Sequence, residues 1–242
     1  MIKAAIATLF MLAVVSAAQA SQIHFYNFNS GATDSIGAAH GTLMGGANVS
    51  NGYLSLNGSN AFVQFSQKIV PTSGSYTVAL FAFESQLTPN YIELISQGFS
   101  TGPGFYIVHD PAGNIRVSDS WANTGVLFPS DAAFHHFALV VDSGAGISKL
   151  YVDGLLAASV NFAISTTSGG GNTRFGRQFD PFGEFFNGGI DDVRIYDNAL
   201  SASEVSNLAN AGPSSIPEPG SMVLLGTGLA GALNVLRRRR KP

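Results

Sequence analysis

The chain has 242 residues, 45% of them hydrophobic and 11% charged, with 28 glycines and no cysteine. Few charges and many glycines suit a turn-rich all-β domain better than a helical one, and the absence of cysteine excludes disulfides and thiolate metal sites. Of the 12 Lys and Arg, six (Lys3 and Arg237 to Lys241) lie in the end segments, as does one of the 15 Asp and Glu (Glu218); the stretch between is therefore near −8, which argues against nucleic-acid and polyanion binding.

Met1–Ala20 reads as a secretory signal helix. Lys3 gives a positive start, Ala4–Ala18 an apolar run, and Ala18-Gln19-Ala20 an A-x-A cleavage site that leaves Ser21 as the new first residue. The folded domain is expected over 21–211. Ile23–Phe28 alternates as a first strand, and 30–46 is a Gly-rich loop. Tyr76–Phe83 and Phe134–Val141 are apolar on both faces, as inner strands are. Between them, Tyr91–Ser96, Gly104–His109 and Asn114–Asp119 are separated by Pro, Gly and Asn turns. Lys149–Val152 and Leu155–Val160 flank Asp153-Gly154, a tight-hairpin pair, and Thr173–Arg177 follows a Ser/Gly loop. About a dozen short strands predict an all-β fold of two packed antiparallel sheets.

The stretch 185–196, Phe-Phe-Asn-Gly-Gly-Ile-Asp-Asp-Val-Arg-Ile-Tyr, predicts a strand with Val193 and Ile195 on one face. Ile190 breaks the alternation, which points either to a bulge near Gly188-Gly189 or to a strand apolar on both sides. Ser201 and Glu204 form a capping box with Leu200 and Val205 as its staple, so a helix is expected over Ala202–Asn210, ending at Gly212. This stretch resembles the closing strand of laminin G-like, concanavalin A-like jelly-roll domains, which end in a phrase of the form G-x-I-D-D-V-R-I-Y followed by A-L-S and a short helix. Asp34-Ser35-Ile36-Gly37 and His40-Gly41-Thr42 resemble the D-S-x-G and H-G-T segments of the same domains. Gly52–Val63 is similar to their G-x-L-x-F-D-G-S-x-x-Y-V hairpin, and His135-His136 to a scaffold strand. The implied fold is a two-sheet antiparallel jelly-roll sandwich.

After a linker at 212–216 come Pro217-Glu218-Pro219, the apolar run Gly220–Leu236, and Arg237-Arg238-Arg239-Arg240-Lys241. The run of 17 residues spans roughly 25 Å as a helix, enough to cross a bilayer at the short limit. The basic cluster is expected to stay in the cytoplasm with the domain across the membrane. This tail resembles the PEP-CTERM sorting signal of Gram-negative bacteria. The resemblance implies an exosortase-type processing enzyme as partner, a transient inner-membrane precursor, and a final place in the outer envelope or outside the cell.

No E-x-D-x-x-E segment of paired glycosidase carboxylates is present, nor any Ser-His-Asp arrangement, phosphate loop or Cys/His metal motif. The expectation is a non-enzymatic binding or adhesion protein for extracellular polysaccharide. A glycan hydrolase or lyase with an unfamiliar site, or a purely structural matrix protein, is the alternative. Trp121, Tyr106 and Arg177 are the candidate sugar contacts, with Arg174, Asp180 and Glu184 as further polar lining. By the same family resemblance, Asp34, His40, Asp191 and Asp192 are candidates for a structural calcium ion that ties the first loop to the last strand.

Overall fold

The computed structural model describes residues 21–98, 105–117, 122–161, 171–178 and 182–214. Among them are fifteen strands and one helix: β1 (Gln22–Tyr26), β2 (Thr42–Met44), β3 (Asn48–Ser50), β4 (Tyr53–Asn57), β5 (Phe62–Gln64), β6 (Tyr76–Glu84), β7 (Ile92–Gln97), β8 (Phe105–His109), β9 (Asn114–Val117), β10 (Ala122–Leu127), β11 (His135–Asp142), β12 (Ile147–Val152), β13 (Leu155–Asn161), β14 (Arg174–Phe175), β15 (Asn187–Tyr196) and α1 (Ala202–Ala211). They form two antiparallel sheets face to face, a jelly-roll sandwich. The eight-stranded sheet runs β13-β12-β11-β6-β15-β4-β3, with β1 also paired to β15, and the seven-stranded sheet runs β10-β9-β8-β7-β14-β5-β2.

The core follows from alternation. Val78, Leu80, Leu139, Val141, Val193 and Ile195 from one sheet meet Val63, Ile95, Ile107, Ile115 and Phe175 from the other. At one end Tyr26, Phe65 and Phe175 stack edge to face, with centroids 4.7 to 5.4 Å apart. The two sheets are also joined by a sealed polar bridge. Glu84 ends β6, His109 ends β8, and His109 Nε2 lies 2.8 Å from Glu84 Oε2 with both side chains 0% exposed. His109 Nδ1 donates to the Asp110 carbonyl at 3.0 Å, which leaves Nε2–H for the carboxylate in the imidazolium form.

The segment expected to be a hairpin at 52–63 is not one. β4 belongs to the eight-stranded sheet and β5 to the seven-stranded sheet, so the chain crosses between layers at 58–61. Asn57 Oδ1 fastens the crossing by accepting the N–H groups of Ser59, Asn60 and Ala61. The hydrophobic pattern sets which face of each strand is buried, but not which layer it joins. At Asp153-Gly154 the expected hairpin does form, with φ of 49° and 79°.

β15 is the central strand. β6 flanks it on one side; β4 covers Asn187–Ile190 on the other, and β1 covers Val193–Tyr196. The bulge lies where these two partners change over, between Asp191 and Arg194, with Asp192 at φ 48°. It is not at Gly188-Gly189. Those glycines serve close approach instead: a Cβ on Gly188 would lie 2.0 Å from the Phe83 carbonyl oxygen, and one on Gly189 2.4 Å from the Phe83 ring. The capping box at Ser201 and Glu204 is present as expected. Helix α1 packs Val205 onto Ala79, Ala138, Val140, Tyr151, Tyr196 and Leu200, on the outer face of the eight-stranded sheet.

Candidate functional site

The outer face of the seven-stranded sheet mixes polar side chains with aromatic and aliphatic ones. Phe175 of β14 and Ile95 of β7 point inward, so Arg174 and Ser96 point outward. Between β14 and β15 the chain makes an excursion that closes on itself: Phe186 N–H reaches the Gly176 carbonyl at 3.0 Å, and Gln178 N–H reaches the Gly183 carbonyl at 2.8 Å. Gly176 is required at its root, with φ 78° and only 2.3 Å from a built Cβ to Leu56. Ser96 Oγ donates to the Arg177 carbonyl at 2.7 Å and ties the excursion to the sheet.

This geometry aims Arg177 at two aromatic rings. Its guanidinium lies 4.8 Å from the centroid of Phe62 and 5.1 Å from that of Phe185. Arg174 donates to Gln64 Oε1 at 2.8 Å and to the Gln178 carbonyl at 3.2 Å. Phe182, 57% exposed, stands on the same excursion. The planar cations and aromatic rings make a ledge suited to the apolar face and hydroxyl edge of a sugar.

Two carboxyl groups lie beside it. Glu93 N–H donates to the Glu184 carbonyl at 3.1 Å, so the two residues are backbone neighbours across the sheet surface. Glu184 has φ 48°, a strained value for a residue with a side chain. Burial raises its carboxyl pKa against the opposing bond from Gln178. Glu93 is 0% exposed, and among the described residues neither carboxyl oxygen has a hydrogen-bond partner. Burial first, and then the Glu184 charge, push it well above the ordinary carboxylate range. In the sequence these glutamates stand alone; the fold makes them a pair.

Of the expected contact residues, Arg177 is in the ledge together with Arg174 and Glu184. Tyr106 lies in β8 opposite Ser96 in register. Trp121 and Asp180 lie outside the described residues, as do Ala18, Ala20, Pro217, Glu218, Pro219 and the basic cluster. Ser21 is the first described residue, and its carbonyl accepts from Asp197 N–H at 3.1 Å.

The four residues assigned to calcium have separate engagements. Asp34 is buried and accepts five donors: His24 Nδ1 and the N–H groups of Phe25, Ile36, Gly37 and Ala39, at 2.6 to 3.2 Å. Burial alone would raise its pKa, but the His24 and backbone bonds outweigh this and hold it low. His40 Nδ1 accepts from Asp34 N–H at 3.1 Å. Asp191 is buried against Asp192; burial and that neighbouring charge push it up to about 8. Among the described residues no group of three or more His, Cys, Asp or Glu side chains is placed to hold a metal ion. Asp34 and the Asp191-Asp192 pair thus fasten two different places.

His135 and His136 are scaffold, as their setting implies. His135 bridges Asp153 at 2.7 Å and Asp131 at 3.0 Å, while His136 is buried against the Phe81 ring, with centroids 5.0 Å apart.

Residues 57–206 match the family described as the concanavalin A-like lectin/glucanases superfamily. The chain belongs to that superfamily. Residues 215–241 match the PEP-CTERM protein-sorting motif, which marks a protein exported to the cell envelope or the extracellular space and processed by an exosortase. Among solved structures, this concanavalin A-like chain is similar to domain 4 of AbnA, a GH43 extracellular arabinanase from Geobacillus stearothermophilus, in complex with arabinotriose. That match has 26% identity and a TM-score of 0.65, and covers 78% of this chain and 98% of that one. It also shares its fold with a botulinum neurotoxin type C structure (15% identity, TM-score 0.63, 79% of this chain and 51% of that one). A Trypanosoma rangeli sialidase has the fold too (15% identity, TM-score 0.61, 78% and 32%). A curated relative is the sushi, von Willebrand factor type A, EGF and pentraxin domain-containing protein 1 of Rattus norvegicus. It is 34% identical over 95 residues, which are 35% of this chain and 3% of that protein.

Proposed function

We propose that this exported domain binds polysaccharide outside the cell through the Arg174–Arg177–Glu184 ledge and does not cleave it. The observation that carries the reading is the Arg177 guanidinium laid over Phe62 and Phe185 beside the partly exposed Glu184 carboxyl. Perturbed groups gathered beside aromatic rings on one face are the usual mark of a ligand site. The likeness to an arabinanase domain in complex with arabinotriose supports a carbohydrate ligand. The non-catalytic reading is supported by Glu93. Glycoside hydrolysis needs two carboxyl groups flanking one bond, and a side chain at 0% exposure offers no room for a sugar.

The test is retention of the chain from Ser21 to Ile216 on immobilised plant and bacterial polysaccharides, with arabinan included. Binding without release of reducing or unsaturated ends is expected. Arg177→Ala should weaken it at least tenfold, the scale of one charged contact. Product release would establish the enzyme reading, and retention unchanged by R177A would move the site elsewhere.

A further inference from the structure

The outer face of the eight-stranded sheet holds a polar knot that the ledge does not use. Asp192 sits at the β15 bulge, fully buried, with φ 48°. Its Oδ2 accepts three donors: Arg194 Nη2 at 3.1 Å, Ser214 N–H at 3.0 Å and Ser214 Oγ at 2.8 Å. The Arg194 guanidinium in turn lies 4.4 Å from the Phe25 ring centroid. The chain therefore does not leave the domain at the end of α1. It turns at Gly212, with φ 69° in the left-handed region, and is fastened back onto β15 two residues later.

Covalent geometry then limits how far the sorting motif can stand from the domain. Only Ser215 and Ile216 separate Ser214 from Pro217. Three Cα steps reach at most about 11 Å, so while Ser214 is held the Pro-Glu-Pro motif stays within that distance of it, whatever path the chain takes. A cleft that shields a peptide bond from water takes the chain in extended form for several residues on each side. While Ser214 is tethered, only Ser215 and Ile216 are free to fill the N-terminal side of such a cleft. Letting go of Ser214 supplies the missing length, back to the end of α1.

We infer that the Asp192–Ser214 clasp must open before the sorting enzyme can cut, so that Asp192 sets the rate of processing. The full-length chain is expressed in a bacterium that carries the processing enzyme, and conversion of precursor to the shortened form is followed by pulse-chase. Ser214→Ala removes the hydroxyl bond to the Asp192 carboxyl, and should raise the open fraction and the processing rate about tenfold. A spacer of eight Gly and Ser residues inserted between Ser215 and Ile216 leaves the clasp intact and supplies the length directly, so it should accelerate processing as well. The two changes together should be no faster than the faster one alone. Processing that is unchanged or slower in S214A, a spacer without effect, or gains that multiply would each overturn the inference.

Discussion

At the scale of single residues, the buried carboxyl groups decide how stability responds to pH. Burial, and then the Glu184 charge, place the folded pKa of Glu93 well above its unfolded value. Its contribution is fully present below the unfolded value and is lost as pH rises towards the folded value, at up to about 1.4 kcal/mol per pH unit. Glu93→Gln should therefore raise Tm at pH 7 by about 3 °C or more and leave it little changed at pH 4, as read by calorimetry across pH. Asp34 has the opposite sign, because its five donors hold its pKa below the ordinary value. Those donors already engage both oxygens, and we propose that no calcium ion is held there. Tm measured after metal stripping with EDTA should match Tm measured in millimolar calcium; a rise with calcium would show that the Asp34 loop is a metal site after all.

At the scale of elements, α1 and β15 were legible because their signals are local. Leu200, Ser201, Glu204 and Val205 fall within six consecutive residues, and the capping box that Ser201 and Glu204 spell is the one that forms. Ser201→Ala should cost about 1 kcal/mol and lower Tm by about 3 °C. Other features depended on partners distant in sequence. The bulge was expected at Gly188-Gly189, yet it falls at Asp192, where the strand beside β15 changes from β4 to β1, and nothing near Asp192 announces that change. The 52–63 segment failed as a hairpin for the same reason. The ledge was half readable. Arg174, Arg177 and Glu184 stood out as polar residues in one short stretch, whereas Glu93 and Phe62 come from other strands and join them only through sheet pairing.

At the scale of the whole molecule, a cysteine-free sandwich must hold its layers together by side chains alone. Most of that is apolar, but the Glu84–His109 bridge crosses the gap between the sheets. Burial opposes the imidazolium, but the bonds to Glu84 and to the Asp110 carbonyl outweigh it and raise the His109 pKa. The bridge's stabilisation is thus fully present below about pH 6.5 and fades as pH climbs through the folded value. His109→Phe leaves Glu84 buried without its partner and should cost about 3–5 kcal/mol near pH 6, a Tm loss of about 10 °C; Glu84→Gln combined with His109→Phe leaves no bare carboxyl, and its deficit from wild type should shrink between pH 6 and pH 9. A pH-independent loss would mean that His109 acts by shape alone.

The way the two ends attach has a mechanical consequence. Ser21 is tied to Asp197 and Ser214 to Asp192, so both exits of the domain are fastened on or immediately beside one central strand. A tug on the C-terminal end meets Asp192 first, then has to peel away α1, and only afterwards loads β15. The domain carries a sequence of breakable stitches outside its core, which would let it give way by degrees under shear while the two sheets stay closed.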